Sequence, residues 1–219
     1  MKRSTWILLG IGLLVQVVTF GLSSLPLGEE AGLALLSLLS GMLGICSVVL
    51  GAQGNILTFV FGFAQVGTYA YLSWHERFYG ELLLSAYYFL TMIYGVYVWR
   101  ARLGTKQEEK WQVQPRSMQP MALSLVAVGT VLLSLVAGWW LGRYTDDPQP
   151  YMDALTTVPA LVAQVLMVMV SREQWYIWML VDVLATAMWI KAGNYCMAAQ
   201  YAFWCVNCVY GYWMWRKKN

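Results

Sequence analysis

Residues 120–142 read PMALSLVAVGTVLLSLVAGWWLG, a run without a single Asp, Glu, Lys or Arg. The hydrocarbon core of a bilayer is about 30 Å thick, and a helix needs about 20 apolar residues to cross it. Eight apolar runs of about this length recur in the 219 residues, which leaves almost no sequence for a soluble domain. The predicted spans are residues 6–25, 31–50, 54–73, 79–99, 120–142, 153–171, 175–191 and 194–215. We therefore expect an all-α, polytopic membrane protein.

The composition excludes several kinds of catalytic centre. Hydrophobic residues make up 59% of the chain and charged residues 11%, against about 25% charged residues in a soluble domain. The single histidine, His75, excludes a bis-histidine haem, a histidine-based zinc site and a Ser-His-Asp triad. Cys205 and Cys208 have the C-x-x-C spacing of redox and zinc sites. Because these two cysteines lie inside the last apolar run, we expect them to pack there. For the protein as a whole we expect no cofactor, no metal and no nucleic-acid partner.

The basic residues between the spans predict the orientation, because cytoplasmic connections carry an excess of Lys and Arg. With both termini in the cytoplasm, eleven Lys and Arg residues lie inside, and only Arg77, Arg143 and Lys191 lie outside. Eight spans place both basic chain ends on the same face. The first span also resembles a signal peptide, since Met1-Lys2-Arg3 precedes it. We expect it to be retained, and cleavage stays an alternative.

An internal repeat appears when the chain is aligned with itself at an offset of 116 residues. Residues 94–100, YGVYVWR, then fall on residues 210–216, YGYWMWR. Both segments end spans that run into the cytoplasm, so the repeat is parallel, as in many transporters with a substrate site between the halves. The predicted parts are an extra N-terminal helix (1–28), a first three-helix repeat (29–101), a cytoplasmic linker (102–119), a connecting helix with an external loop (120–150), and a second three-helix repeat with a basic tail (151–219).

Asp182 is the most informative polar residue because it lies well inside the seventh span. A carboxylate at that depth costs about 3 kcal/mol unless a cation or hydrogen-bond donors meet it. Helical spacing places Trp178 and Trp189 on the same face, and indole faces attract cations. This face suits a flat organic cation, and a helix–helix hydrogen bond is the alternative. Further candidate ligand-binding residues are Gln164, Asn207, Gln200, Tyr201, Trp204, Asn55, Gln65, Ser85 and Tyr88. Each amide among them is also open to a role in helix packing.

Three groups of residues resemble the PnuC vitamin transporters. In the second half they are residues 164–167, QVLM; residues 172–175, REQW; and residues 207–212, NCVYGY. Gly54-Asn55 and residues 79–81, YGE, agree in the first half. The resemblance covers about residues 31–216 and leaves the first span as an addition.

The resemblance implies a three-plus-one-plus-three helical fold, similar to that of SWEET sugar carriers, which is often assembled as a homotrimer. It implies bacterial inner-membrane uptake of nicotinamide riboside by facilitated diffusion, with trapping through phosphorylation by a cytoplasmic kinase. Membrane lipids are the other expected partners. It also implies that Gln164, Trp178, Trp189 and Asn207 line the substrate cavity.

Other functions stay open at this point. Many PnuC relatives have Asn at the position of Asp182, and the family includes carriers of thiamine, which is also a flat aromatic cation. A non-transporting scaffold subunit is a further alternative, because aromatic stripes also serve helix packing. A membrane enzyme would need a nucleophile–base pair or a metal cluster, and the sequence offers neither. The chain is therefore expected to be a transporter and not an enzyme.

Overall fold

Eight α-helices make up the described part of the chain. The structure is a computed structural model that describes residues 3–23, 31–75, 79–103, 111–146, 149–191 and 195–217, with the backbone alone at residues 23, 79–81, 189 and 195–197. The helices are α1 (Arg3–Ser23), α2 (Ala31–Ala52), α3 (Thr58–His75), α4 (Tyr79–Arg100), α5 (Pro120–Tyr144), α6 (Pro150–Val168), α7 (Gln174–Lys191) and α8 (Tyr195–Arg216). Within these residues the only β structure is three isolated bridges. The predicted all-α class with eight helices is confirmed.

Five of the described helices are long and apolar enough to cross a membrane, namely α1, α2, α4, α5 and α6. The other three, α3, α7 and α8, are helices of 18 to 22 residues that carry many Tyr, Trp, Gln and Asn side chains. These side chains lower the mean hydropathy, so length and composition alone do not mark the three helices as spans.

The helices form a closed ring. Along the chain α2 packs on α3 and α3 on α4, and in the same way α6 packs on α7 and α7 on α8. The ring closes through contacts of α4 with α6 and of α2 with α8. Outside the ring, α1 packs on α2 and α8, and α5 packs on α6. We call α2–α4 the first unit and α6–α8 the second unit.

Two turns occupy residues that the sequence pattern assigns to helices. The third span was expected from residue 54, but α3 begins at Thr58; the sixth was expected to reach residue 171, but α6 ends at Val168. Gly54 has a φ of 68° and Val170 a φ of 61°. A positive φ ends a right-handed helix, and it is strained for a β-branched residue such as Val170.

These two turns share one hydrogen-bond pattern at an offset of 116 residues, the separation of Gly54 and Val170. The amide of Gly54 donates to Gly51 O at 2.8 Å, and the amide of Val170 donates to Met167 O at 3.0 Å. Asn55 N donates to Leu50 O, and Ser171 N donates to Leu166 O, both at 2.9 Å. The helix bounds of α3 and α4 also recur at this offset in α7 and α8.

Residues 111–117, which we call the bridging segment, connect the two turns. Val113 N donates to Gly54 O at 2.8 Å, and Arg116 N donates to Val170 O, also at 2.8 Å. The segment therefore ties the first unit to the second at the end of the bundle where α2, α4, α6 and α8 end. We call this end the linker end.

Four aromatic side chains pack together at the linker end. The ring centroids of Phe59 and Trp99 are 5.0 Å apart, those of Trp99 and Trp215 5.9 Å, and those of Trp175 and Trp215 5.7 Å. Each pair has the edge-to-face geometry that the aromatic quadrupole favours. Trp99 and Trp215 are fully buried, so this aromatic cluster fills the linker end of the ring.

The indoles of Trp99 and Trp215 also bind the opposite unit. Trp99 Nε1 donates to Met167 O of α6 at 3.0 Å, and Trp215 Nε1 donates to Gly51 O of α2 at 3.1 Å. Both acceptors lie in the last turn of a helix, where carbonyls lack a partner within the helix. Each indole therefore adds a hydrogen bond, beside that of the turn amide, to a helix-end carbonyl of the other unit.

Replacing either indole by Phe is expected to destabilise the protein to a similar extent. Trp99→Phe and Trp215→Phe each remove one of the hydrogen bonds that a buried carbonyl accepts, a loss of about 1 kcal/mol. Thermal unfolding in detergent micelles measures this, with Trp6→Phe, at a 59% exposed position, as the matched control. Loss of stability in only one of the two variants would contradict the structural equivalence of the units.

Glu173 joins the second turn to the bridging segment. Its carboxylate accepts hydrogen bonds from Ser171 Oγ at 2.7 Å and from Ser117 Oγ at 3.0 Å, and it pairs with Arg172 Nε at 3.2 Å. Burial alone would raise the pKa of Glu173, but the hydrogen bonds from Ser171, Ser117 and nearby backbone amides hold it below its usual range. The ionised form is therefore the one that the fold stabilises.

Glu173→Gln is expected to lower the midpoint of thermal unfolding at neutral pH by about 2–4 °C, corresponding to about 1 kcal/mol. Because the folded-state pKa is lowered, the contribution of Glu173 is complete above the pKa of the unfolded chain and is lost as the pH falls through the folded-state pKa. The difference in unfolding midpoint between the parent protein and the Glu173→Gln variant should therefore decrease as the pH is lowered. Asp146→Asn, at an exposed position, is the control, and a gap that is constant with pH would contradict the assignment.

Candidate functional site

Asp182 is buried in the middle of α7 and faces α8. Its side chain is 4% exposed, and its Oδ2 accepts a hydrogen bond from Cys208 Sγ at 3.3 Å. A thiol is a weak donor, and among the described residues no Lys, Arg or His pairs with this carboxylate. The negative charge of an ionised Asp182 is thus left for a partner from outside the described residues. The C-x-x-C pair packs within α8, and Cys208 also serves as the donor to Asp182.

Trp178 lies one helical turn from Asp182 and is half-buried. It packs against the buried cluster that contains the aromatic residues of the linker end and Cys208, and Tyr88 of α4 packs against the same cluster. Trp178, Tyr88 and the Asp182–Cys208 pair therefore form one connected set that draws on both units. The side chain of Trp189 lies outside the described residues.

Gln164 and Asn207 lie at the two interfaces between the units. Gln164 Nε2 donates to Thr91 Oγ1 at 3.2 Å, which links α6 to α4. Asn207 Nδ2 donates to Val48 O at 3.4 Å, which links α8 to α2. The two bonds join the same pair of repeat positions, because Val48 precedes Gln164 and Thr91 precedes Asn207 by 116 residues. In both, the amide of the second unit donates to the first unit. Both amides are buried, so each occupies the seam along which the units meet.

Two buried polar atoms of α8 have no hydrogen-bond partner in the described part of the chain. They are Trp204 Nε1 and Asn207 Oδ1, three residues apart and therefore on one face of the helix. Trp204 also makes an edge-to-face contact with Tyr201, with ring centroids 4.8 Å apart. Buried polar atoms without partners are uncommon, and a polar ligand is one means of satisfying them. Gln200 is half-buried, one turn before Trp204.

The remaining predicted residues, Asn55, Gln65 and Ser85, belong to the first unit or the turn that precedes α3. Asn55 is in the turn before α3, where its Oδ1 accepts a hydrogen bond from Leu57 N at 2.9 Å, so it stabilises the turn. The side chain of Gln65 lies close to Gly44 of α2. Ser85 is buried beside a groove of about 380 Å³ between α3 and α4, which is lined almost entirely by apolar side chains.

The site depends on contacts that sequence reasoning did not foresee. Pairing of Asp182 with Cys208 has no sequence signal, because the two residues are on different helices. The role of Trp99 and Trp215 did have one, since both lie in the repeated YGxxxWR segments. For the described residues, no group of three or more His, Cys, Asp and Glu side chains could hold a metal ion.

Comparison with known proteins gives consistent matches along nearly the whole chain. The sequence model of a family described as nicotinamide mononucleotide transporter matches residues 34–217. A protein of Neisseria mucosa named nicotinamide riboside transporter PnuC is 28% identical over 98% of this chain and 81% of its own length. A protein of Haemophilus influenzae with the same name is 30% identical over 83% of this chain and 79% of its own length.

A solved structure has the same fold. It is described as the crystal structure of the vitamin B3 transporter PnuC, and it superimposes with a TM-score of 0.80 at 27% sequence identity. The superposition covers 100% of this chain and 92% of that one.

Proposed function

The chain belongs to the PnuC family of bacterial multi-pass membrane transporters, and we propose that it carries nicotinamide riboside across the inner membrane. Two similar proteins carry that substrate in their names. The observation that carries the proposal is the buried Asp182 carboxylate, which has no cationic partner among the described residues and lies one turn from Trp178. The family is one of transporters and not of enzymes.

The pyridinium of nicotinamide riboside would supply a positive partner for the Asp182 carboxylate. We propose that the ring lies against Trp178, where the indole face attracts a cation, and that Trp189 covers the other face. Charge pairing with Asp182 and attraction to indole then act on the same flat group. Gln164 and Asn207 are proposed to bind the ribose, with Tyr88, Gln200, Tyr201 and Trp204 nearby. Asn55, Gln65 and Ser85 stay predicted substrate-binding residues of the first unit.

Transport is proposed to follow alternating access by rocking of the two units. In the structure the aromatic cluster and the bridging segment close the linker end. The excess of Lys and Arg in the linker supports the proposal that this end, and both termini, lie in the cytoplasm. A substrate bound between the units would leave when the units part there. The recurrence of helix bounds and hydrogen bonds at one offset supports the proposal that the units are a parallel repeat joined by α5.

Net uptake is proposed to be facilitated diffusion. The sequence contains no G-x-x-x-x-G-K-[ST] loop for nucleotide-driven pumping. Phosphorylation by a cytoplasmic kinase would add negative charge to the product and keep it inside. A homotrimer in contact with membrane lipids stays the predicted assembly.

Thiamine is the second candidate substrate because it is also a flat aromatic cation. The Asp182 carboxylate favours thiamine as much as nicotinamide riboside, because it attracts the positive charge that both molecules carry. A scaffold role without transport is the other alternative. It predicts that neither cation stabilises the folded protein.

Asp182→Asn is expected to weaken binding of nicotinamide riboside by about tenfold, because it removes a charge pair in a medium of low dielectric constant. A ligand that binds only the folded state raises its thermal stability, so a thermal-shift titration of the purified protein with nicotinamide riboside, thiamine, riboflavin and nicotinamide gives the comparison. Uncharged nicotinamide should not be affected. Asp153→Asn, in the first turn of α6, is the matched control.

The outcomes separate the two parts of the proposal. Failure of nicotinamide riboside to stabilise the parent protein, together with no uptake into proteoliposomes, would refute the function. Normal affinity of the Asp182→Asn variant in a protein that does transport would refute only the role of Asp182.

A further inference from the structure

The hydroxyl of Thr91 lies between its own helix and Gln164 of the second unit. Thr91 Oγ1 donates to Tyr87 O at 2.9 Å or to Tyr88 O at 3.0 Å, within α4. The same oxygen accepts a hydrogen bond from Gln164 Nε2 at 3.2 Å. A hydroxyl has one proton and two acceptor lone pairs. Since the proton of Thr91 is directed to a backbone carbonyl, the hydroxyl can only accept from Gln164.

This arrangement fixes which end of the Gln164 amide points away from Thr91. The reverse orientation would set the amide oxygen against an oxygen that has no proton to give, and two acceptors in contact repel each other. Gln164 therefore turns its Nε2 toward α4, and its Oε1 is directed elsewhere. Because the side chain is 92% buried, water has little access to take the place of this hydrogen bond.

The amide at the other interface, which also belongs to the second unit, is held in the same sense. Asn207 Nδ2 donates to Val48 O, a carbonyl that can only accept. Asn207 Oδ1 is buried and lacks a partner in the described ranges. The first unit thus binds the NH₂ groups of two amides of the second unit, and in each the amide oxygen is not used in that contact.

We propose that Thr91 is a positioning residue that holds Gln164 with its oxygen toward the substrate. This inference rests on the proposed function, since it takes Gln164 as a ligand-binding residue. With Asn207 held in the same sense and the Asp182 carboxylate facing α8, the site offers acceptors. It therefore selects a ligand that carries a positive charge and several O–H or N–H donors, which is the chemistry of a cationic riboside.

Thr91→Val tests this proposal because it keeps the side-chain shape and removes the acceptor. The dissociation constant for nicotinamide riboside, measured by isothermal titration on the full-length protein in detergent, should rise about 3- to 10-fold, the equivalent of one net hydrogen bond. Thr91→Ser retains the hydroxyl and should restore binding to nearly the parent value. Thr68→Val is the matched control, because Thr68 also donates to carbonyls of its own helix, Ala64 O and Gln65 O.

A double-mutant cycle with Gln164→Leu separates positioning from a general structural effect. If Thr91 acts through Gln164, Thr91→Val should have no further effect on binding in the Gln164→Leu background. Fully additive losses would overturn the proposal, as would an unchanged affinity of Thr91→Val with a lowered melting temperature. Thr91→Ala is the second variant should Thr91→Val fail to fold. A parent protein that binds no nicotinamide riboside would instead refute the proposed function.

Discussion

The reciprocal hydrogen bonds of Trp99 and Trp215 are the constraint on which the rest of the structure depends. Within a membrane, a backbone carbonyl at a helix end has no water to bind and needs a partner from the protein. Met167 O and Gly51 O each accept one hydrogen bond from the turn that follows, from Val170 N and Gly54 N, and another from an indole of the opposite unit. Each of these helix ends is therefore held both by its own turn and by the other unit. The hydrogen bonds of the two indoles join the units there, and the indole rings pack against each other at the same point.

This constraint bears on where the ligand is proposed to bind. The linker end is filled by Phe59, Trp99, Trp175 and Trp215, so the polar groups that remain lie further along the helices. Asp182 faces α8 with only a thiol as its donor, and Gln164 and Asn207 lie in the two seams between the units. Rocking of the units would change both seams at once. The amides that hold the units together are thus the ones proposed to bind substrate, which couples binding to movement.

Much of the fold follows from the sequence, but its turns do not. Apolar runs placed all eight helices, because their length is imposed by the thickness of the bilayer. The sequence pattern extends the start of α3 and the end of α6 several residues too far into the turns. Gly54 is a recognisable signal for a positive φ, but Val170 is not, because only its contacts with neighbouring backbone hold a β-branched residue there. In the site, the burial of Asp182 was predictable from its position, whereas its pairing with Cys208 depends on the packing of two helices. Asn55 has the chemistry of a ligand-binding residue, but its local bond to Leu57 N uses it in the turn.

The most direct test of the account is the distance between the two units at the linker end during transport. Spin labels at Arg100→Cys and Arg216→Cys, equivalent exposed positions at the ends of α4 and α8, would report it in a protein whose four native cysteines are replaced by Ser. In lipid bilayers without ligand, pulsed dipolar spectroscopy should give one short distance. Saturating nicotinamide riboside should add a population at a longer distance. A single unchanged distance in a protein that transports nicotinamide riboside would contradict the account.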